Sequence, residues 1–227
     1  LFIERIKYPR TYHFPWSPGL INDDRMLSSL KGFEGREVVA TVKMDGENTT
    51  MYPNYLHARS TEYEFHPSRT WIKSLHGRIG YQIPNGWRIC GENLYAKHSI
   101  HYENLEDYFQ VFSIWNEKNH CLSWDETLEW CQLLELKTVP VLYRGLWEEA
   151  VIRGLYQPKF NGDPSEGYVV RISDSFAYKD FRIHVGKFVK ANHVGKTADH
   201  WLRQQVIPNQ IIKISPSPES SPLLSYA

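Results

Sequence analysis

Eight short β-rich stretches run through this chain, and no regular series of helices separates them, which is the strongest constraint on its fold. They are "VVATVK", "TTMYP", "YLHARS", "GWRICGE", "YFQVFSIW", "KTVPVLY", "GYVVRIS" and "HVGKFVKA", each rich in β-branched or aromatic residues and bounded by turn formers. Three stretches have helical character. "SRTWIKSLHGRI" opens at an N-cap candidate, Ser68, and "LWEEAVIRGLYQ" is the last of the three. Between them, "SWDETLEWCQLLEL" carries a capping box, Ser123 with Glu126, and an apolar face through Trp124, Leu128, Cys131 and Leu134. Strands that do not alternate one for one with helices predict an α+β fold with largely antiparallel sheets rather than a doubly wound parallel one. Ahead of the strands, "KYPRTYHFPWSPGLINDD" has no periodicity and reads as an ordered loop lying on something. The end, "SPSPESSPLLSYA", reads as a Ser/Pro-rich tail or linker.

Composition narrows the function. The 227 residues, 41% hydrophobic and 23% charged, suit one large domain with a sizeable core. Lys plus Arg and Asp plus Glu balance at 26 each, which excludes nucleic-acid binding through bulk charge but leaves room for a local basic groove. Cys90, Cys121 and Cys131 are odd in number and lack CxxC spacing, so they read as reduced, mostly buried thiols of an intracellular protein, cytoplasmic or nuclear. The ten histidines show no metal-ligand spacing, no apolar run approaches the ~20 residues of a membrane span, and no signal peptide is visible. The chain begins at Leu1 rather than Met, the mark of a lost start residue or of a piece cut from a longer protein.

Four stretches carry candidate chemistry. In "VVATVKMDGENTTMY" Lys43 stands where a β-branched run meets a turn built from Asp45, Gly46 and Asn48, with Thr41 on the same strand face. A plain hairpin also accounts for Asp-Gly. In "WRICGENLYAKHSIHY" Glu92 ends an apolar run, as a solvated acid or as one that faces a ligand hydroxyl. In "SEGYVVRIS" Glu166 precedes a strand whose Val169 and Val170 read as buried, and is either a metal ligand or an ordinary turn residue. In "HVGKFVKANHVGK" Lys187 and Lys190 interrupt Val and Phe, which is costly on a half-buried strand unless an anion is near.

Taken in order, KxDG, GEN, an aromatic strand, EGYVV and a Lys-bearing strand resemble the covalent nucleotidyltransferases, the superfamily of ATP-dependent polynucleotide ligases and capping enzymes. Within it the chain is most similar to the RNA ligase branch, the phage RNA ligase 2-like and related bacterial end-joining enzymes, over roughly residues 8 to 195. The resemblance implies a ligase-type adenylation domain over 1–195, with a short extension and tail over 196–227. It also implies roles. Lys43 attacks the α-phosphate of ATP and holds AMP. Thr41, Asp45, Gly46 and Asn48 surround the nucleotide, with Asn48 near ribose and phosphate. Arg59 reaches the phosphates, Glu92 binds the ribose, Phe112 stacks on adenine, and Glu166 helps to hold Mg²⁺ or Mn²⁺. Lys187 and Lys190 match the lysine pair that contacts the α-phosphate and helps pyrophosphate leave. The family separates these lysines by one residue and this chain by two; Lys190 is preferred here because its register ends the strand.

A lysine with pKa near 10.4 is neutral in only about one molecule in two thousand at pH 7, so the role requires a lowered pKa. Lys187, Lys190 and Arg59, with partial desolvation, are expected to supply it. Only 37 residues follow Lys190, too few for the OB-fold barrel of roughly 80–100 residues that follows this domain in DNA ligases and capping enzymes. The expected reaction loads AMP on Lys43, transfers it to an RNA 5′-phosphate, and joins that end to a 3′-hydroxyl. The expected partners are RNA with such ends and, with a minimal C-terminal region, an end-healing or specificity subunit; no membrane is expected. The alternatives are a non-catalytic RNA-end or nucleotide-binding module, and a self-adenylating subunit that needs a partner to seal. His13 and Trp16, and Lys97, His98 and His101, are weighed as RNA contacts against packing and a solvated loop.

Overall fold

The computed structural model describes residues 5–21, 24–61, 66–191 and 205–212. Its strands are β1 (Tyr12–His13), β2 (Glu37–Val42), β3 (Glu47–Met51), β4 (Leu56–Ala58), β5 (Arg88–Asn93), β6 (Phe109–Trp115), β7 (His120–Cys121), β8 (Lys137–Thr138), β9 (Val141–Leu146), β10 (Lys159–Phe160), β11 (Asp163–Pro164), β12 (Gly167–Ile172), β13 (Phe176–Ala177) and β14 (Val185–Val189). The helices are α1 (Thr70–Ile79), α2 (Trp124–Leu133), α3 (Glu149–Arg153) and α4 (Phe181–His184). The first sheet has the order β1-β14-β12-β2-β9 and the second β13-β7-β6-β5-β3-β4, with β8 beside β6, while β10 and β11 form a separate two-stranded sheet. Every pairing is antiparallel except β1 with β14 and β6 with β8. The expected α+β class with largely antiparallel sheets is what forms, and no sheet closes into a barrel among the described residues.

The apolar residues explain the layering. β2 is buried on both faces: Val38 and Ala40 join the core around Phe14, Trp115 and Tyr168, while Val39 joins a second core with Leu94, Tyr102 and Trp124. A third core packs Ile72, Leu75 and Ile79 of α1 and Cys131 of α2 against Met51, Ile89 and Ile114 of the second sheet. Burying each such side chain contributes about 1.5–3 kcal/mol. The lead-in lies, as expected, on something: β1 extends the first sheet beside β14, and Phe14 stacks on Trp16.

Local departures from the sequence reading have local causes. Ser68 does not cap α1. Its hydroxyl bonds His66 at 2.6 Å, and Pro67–Arg69 form a tight 3₁₀ turn capped by the His66 ring, so that α1 starts at Thr70. The Ser123–Glu126 capping box is present, but the buried face of α2 runs through Trp124, Thr127, Cys131 and Leu134. Leu128 sits on its rim, 37% exposed. "KTVPVLY" splits at Pro140, which has no N–H for a ladder, and its halves join different sheets. The third helix is shorter than its apolar pattern: Leu146 belongs to β9, and the helix stops at Gly154.

Residues 205–212 pack on the segment after β5. Asn209 is buried there, taking the Tyr102 N–H on its side-chain oxygen and donating its amide to the Leu94 carbonyl. The Ser/Pro-rich end lies outside the described residues. The three cysteines are buried and unpaired, and among the described residues no helix is long and apolar enough to cross a membrane.

Candidate active site

A cavity of about 430 Å³ opens between the two sheets. Its floor is the first sheet, where register places Thr41, Val169 and Lys187 on one rung and Val39, Arg171 and Val185 on the next. Side chains of one rung point to the same face, and Thr41, Val169, Lys187, Arg171 and Val185 all line the cavity. The second sheet supplies the opposite wall, including Asn48 of β3, Glu92 of β5 and Phe112 of β6. Asn48 and Glu92 are cross-strand partners.

Lys43 is placed by the end of β2, where its N–H donates to the Gly167 carbonyl at 3.0 Å. Its Nζ lies 2.7 and 2.8 Å from the two oxygens of Glu166, a carboxylate 7% exposed. Burial pushes the Lys43 pKa down, but Glu166, followed by Glu92 and Asp45, outweighs burial and holds it above the ordinary lysine value. This corrects the expected lowering by cations: an acid is in contact with the amine, and the arrangement is that of a charged lysine. Glu92 is governed by the opposite balance. Burial raises its pKa to about 8 despite the attraction of Lys43, so at neutral pH a large share is protonated and can donate as well as accept.

The turn after Lys43 fixes Glu92. Gly46 donates its N–H to Glu92 Oε1 at 3.1 Å, and a Cβ at Gly46 would stand 2.5 Å from the Asn93 carbonyl oxygen, so a larger residue forces the strands apart. Asp45 is used elsewhere. One of its oxygens accepts from Ser99 N–H, Ser99 hydroxyl and Ile100 N–H at 2.6–2.8 Å, and it does not line the cavity. A carboxylate so bonded anchors a loop.

The other candidates divide. Thr41, Asn48, Arg59, Glu92, Phe112 and Lys187 line the cavity together with Lys43. Asn48 has a side-chain oxygen buried without a hydrogen-bond partner among the described residues. Lys190 does not line it. It follows the end of β14, where its N–H bonds the Glu166 carbonyl, so the preference for Lys190 passes to Lys187. His13 and Trp16 are packing residues: His13 is fully buried, and Trp16 donates to the Tyr168 hydroxyl. Lys97, His98 and His101 are absent from the lining.

Sequence reasoning missed Tyr8, Arg10, Thr11 and Asp24 from the lead-in, and Arg171 at the inner end. Arg171 is 5% exposed and bonds the carbonyls of Ile172 and Leu122, while its Nη1 is buried without a partner among the described residues. The signal available was a charged residue inside an otherwise buried strand.

Among the described residues no three His, Cys, Asp or Glu side chains stand close enough to hold a metal by themselves. A carboxylate such as Glu166 fits Mg²⁺ or Mn²⁺ when a ligand's oxygens complete the shell, the usual manner in which Mg²⁺ binds beside phosphates.

No curated protein sequence matches the chain. Among solved structures, it is similar in fold to the Naegleria gruberi RNA ligase with PPi, at TM-score 0.55 and 19% identity, over 81% of this chain and 57% of that one. A mutant of that ligase with ATP and Mn matches at 0.54 and 18%, over 81% and 58%. A mutant with AMP and Mn matches at 0.53 and 18%, over 72% and 52%. The chain thus spans less than two thirds of the length of these relatives. The profile of the RNA ligase family matches residues 36–190, well over half of the chain and all of the strands that carry Lys43, Glu92, Phe112, Glu166 and Lys187, so the chain belongs to the RNA ligase family.

Proposed function

We propose that the chain is an ATP-dependent RNA ligase that carries AMP on Lys43. The observation that supports this most is the placement of one lysine amine at the edge of a cavity walled by Phe112 and Val169 and flanked by a second lysine, Lys187. Phe112 and Val169 offer the two apolar faces a purine base needs. Glu92 and Asn48 present polar atoms where a ribose would lie, and Lys187 and Arg59 are the cations for the phosphates. The relatives are ligases solved with ATP, AMP, PPi and Mn, which supports a nucleotide and a divalent ion here.

In this reading Lys43 Nζ attacks the α-phosphorus, the N–P bond forms, and the bond to the pyrophosphate oxygen breaks. Before attack Nζ must lose a proton, and Glu166 is the base in contact with it. Polyphosphate beside Lys187 and Arg59 adds negative charge that favours the ammonium, and these two cations offset it so that the proton can pass to Glu166. Bound Mg²⁺ or Mn²⁺ would be held by Glu166 and would neutralise phosphate charge. Lys187 and Arg59 stabilise charge on the phosphoryl oxygens as pyrophosphate leaves. AMP then passes from Lys43 to an RNA 5′-phosphate, and a 3′-hydroxyl displaces it to form the phosphodiester.

The test is sealing by the purified chain of 5′-phosphorylated RNA, offered nicked, as a broken loop and as free single strands. A joined product with AMP release is expected. Lysyl-AMP formed without joining of any substrate would favour the self-adenylating subunit that needs a partner, and no lysyl-AMP at all would overturn the proposal.

A further inference from the structure

The family match begins at residue 36, yet residues ahead of it line the cavity, and one of them reaches a lysine of the site. Asp24 Oδ1 lies 3.5 Å from Lys187 Nζ. Its other oxygen accepts the Ile21 N–H at 3.2 Å and lies 3.2 Å from His13 Nε2. His13 is fully buried, with Nδ1 2.7 Å from Ser17 Oγ. Ser17 Oγ accepts the Val189 N–H at 2.9 Å, while the Val189 carbonyl is 3.4 Å away. The hydroxyl proton therefore goes to His13 Nδ1, the better placed acceptor, and Nε2, although 3.2 Å from Asp24, is buried without a hydrogen-bond partner among the described residues.

The same backbone that positions Lys187 positions this line. His13 and Lys187 are register partners in the β1–β14 pair, and the Phe14 N–H donates to the Lys187 carbonyl at 2.8 Å. We propose that Asp24 is a positioning residue, a carboxylate fixed by the Ile21 N–H beside the buried His13 ring, that holds the Lys187 ammonium toward the cavity. This rests on the reading of Lys187 as a phosphate-contacting lysine. Burial and the neighbouring Lys43 both lower the pKa of Lys187, and Asp24 and Glu166 are the acids that oppose them. Burial first, then Lys187, pushes His13 down to about 4, so it stays neutral around pH 7. Ser17, His13 and Asp24 resemble a nucleophilic triad in order alone: Ser17 is 3% exposed, and its oxygen is tied to the sheet.

The test is a double-mutant cycle on the rate constant for lysyl-AMP formation at saturating ATP. Asp24→Asn keeps the shape and the bond from Ile21, and is expected to lower the rate about 10–100-fold, the cost of a misplaced group. In a Lys187→Ala background the same change is expected to have no further effect; losses that multiply would overturn the proposal. A second readout does not depend on activity. The rate of acetylation of Lys187, followed by mass spectrometry, should rise in Asp24→Asn, because the ammonium loses the carboxylate that keeps it charged, and an unchanged rate would overturn the clasp. If the parent chain forms no lysyl-AMP, the proposed function fails, and the acetylation comparison still decides the role of Asp24.

Discussion

Two acid–base pairs flank the same turn, and they differ in every respect that matters for chemistry. Glu47, at the start of β3, is gripped by Arg69: Nε lies 2.9 and 3.0 Å from the two carboxylate oxygens, and Nη2 bonds Oε1. Both side chains are about nine-tenths buried, and neither lines the cavity. Lys43, four residues earlier, pairs with Glu166, but its side chain is 25% exposed and opens on the cavity. A guanidinium is always charged and fits a carboxylate as a fork, whereas a lysine is a point charge that can give up its proton and its partner. The first pair ties α1 to the second sheet; the second is built to be exchanged.

Substitutions around this turn should separate the two pairs. The largest loss of stability is expected from Glu47→Gln, which leaves the Arg69 charge buried without its carboxylate and should cost about 3–5 kcal/mol. Urea unfolding measures it; a loss under about 1 kcal/mol would mean that Arg69 finds another acceptor. Next comes Gly46→Ala, whose Cβ meets the Asn93 carbonyl. It should cost about 1–3 kcal/mol and slow adenylation as well, since the same strands carry Glu92.

Glu92→Gln should show a pH signature. The folded-state pKa of Glu92, raised to about 8 chiefly by burial, lies above that of the unfolded chain. Its contribution to stability is therefore complete below about pH 4 and lost as pH rises through about 8. The Gln variant has no charge to bury, so relative to the parent it should gain stability progressively as pH rises toward and past about 8, and nothing at about pH 4. Denaturant midpoints at the two pH values would expose an equal gain at both, which contradicts the assignment. Lys43→Met leaves the Glu166 carboxylate, 7% exposed, without its ammonium and is expected to cost about 1–3 kcal/mol, less than Glu47→Gln because this pair opens on the cavity, although it should remove the covalent chemistry entirely.

The same contrast explains what was legible in the sequence. Lys43, Asn48, Arg59, Glu92, Phe112 and Lys187 come from separate strands and loops and line one cavity, and in the sequence it is the resemblance to the RNA ligase branch that groups them. Asp45 shows the limit of that reasoning. Its place in the turn is plain, but one of its carboxylate oxygens is taken by Ser99 and Ile100, contacts made across more than fifty residues that no local pattern announces. Lys190 was preferred on register, and strand alternation past the end of β14 carries it away from the cavity lining. Asp24 lies in an aperiodic segment, where nothing local says which way a side chain faces. Of the cations expected beside Lys43, Lys187 interacts with it, but Glu166 is in contact, and contact decides the sign of the pKa shift.

The most direct test of the central claim is incubation of the purified chain with α-labelled ATP and Mg²⁺ or Mn²⁺, without RNA, followed by a denaturing gel. The account predicts a covalent label on the parent chain that Lys43→Ala abolishes while the variant remains folded and still unfolds cooperatively. A label of equal strength on Lys43→Ala, or no label on the folded parent with either metal, would contradict it.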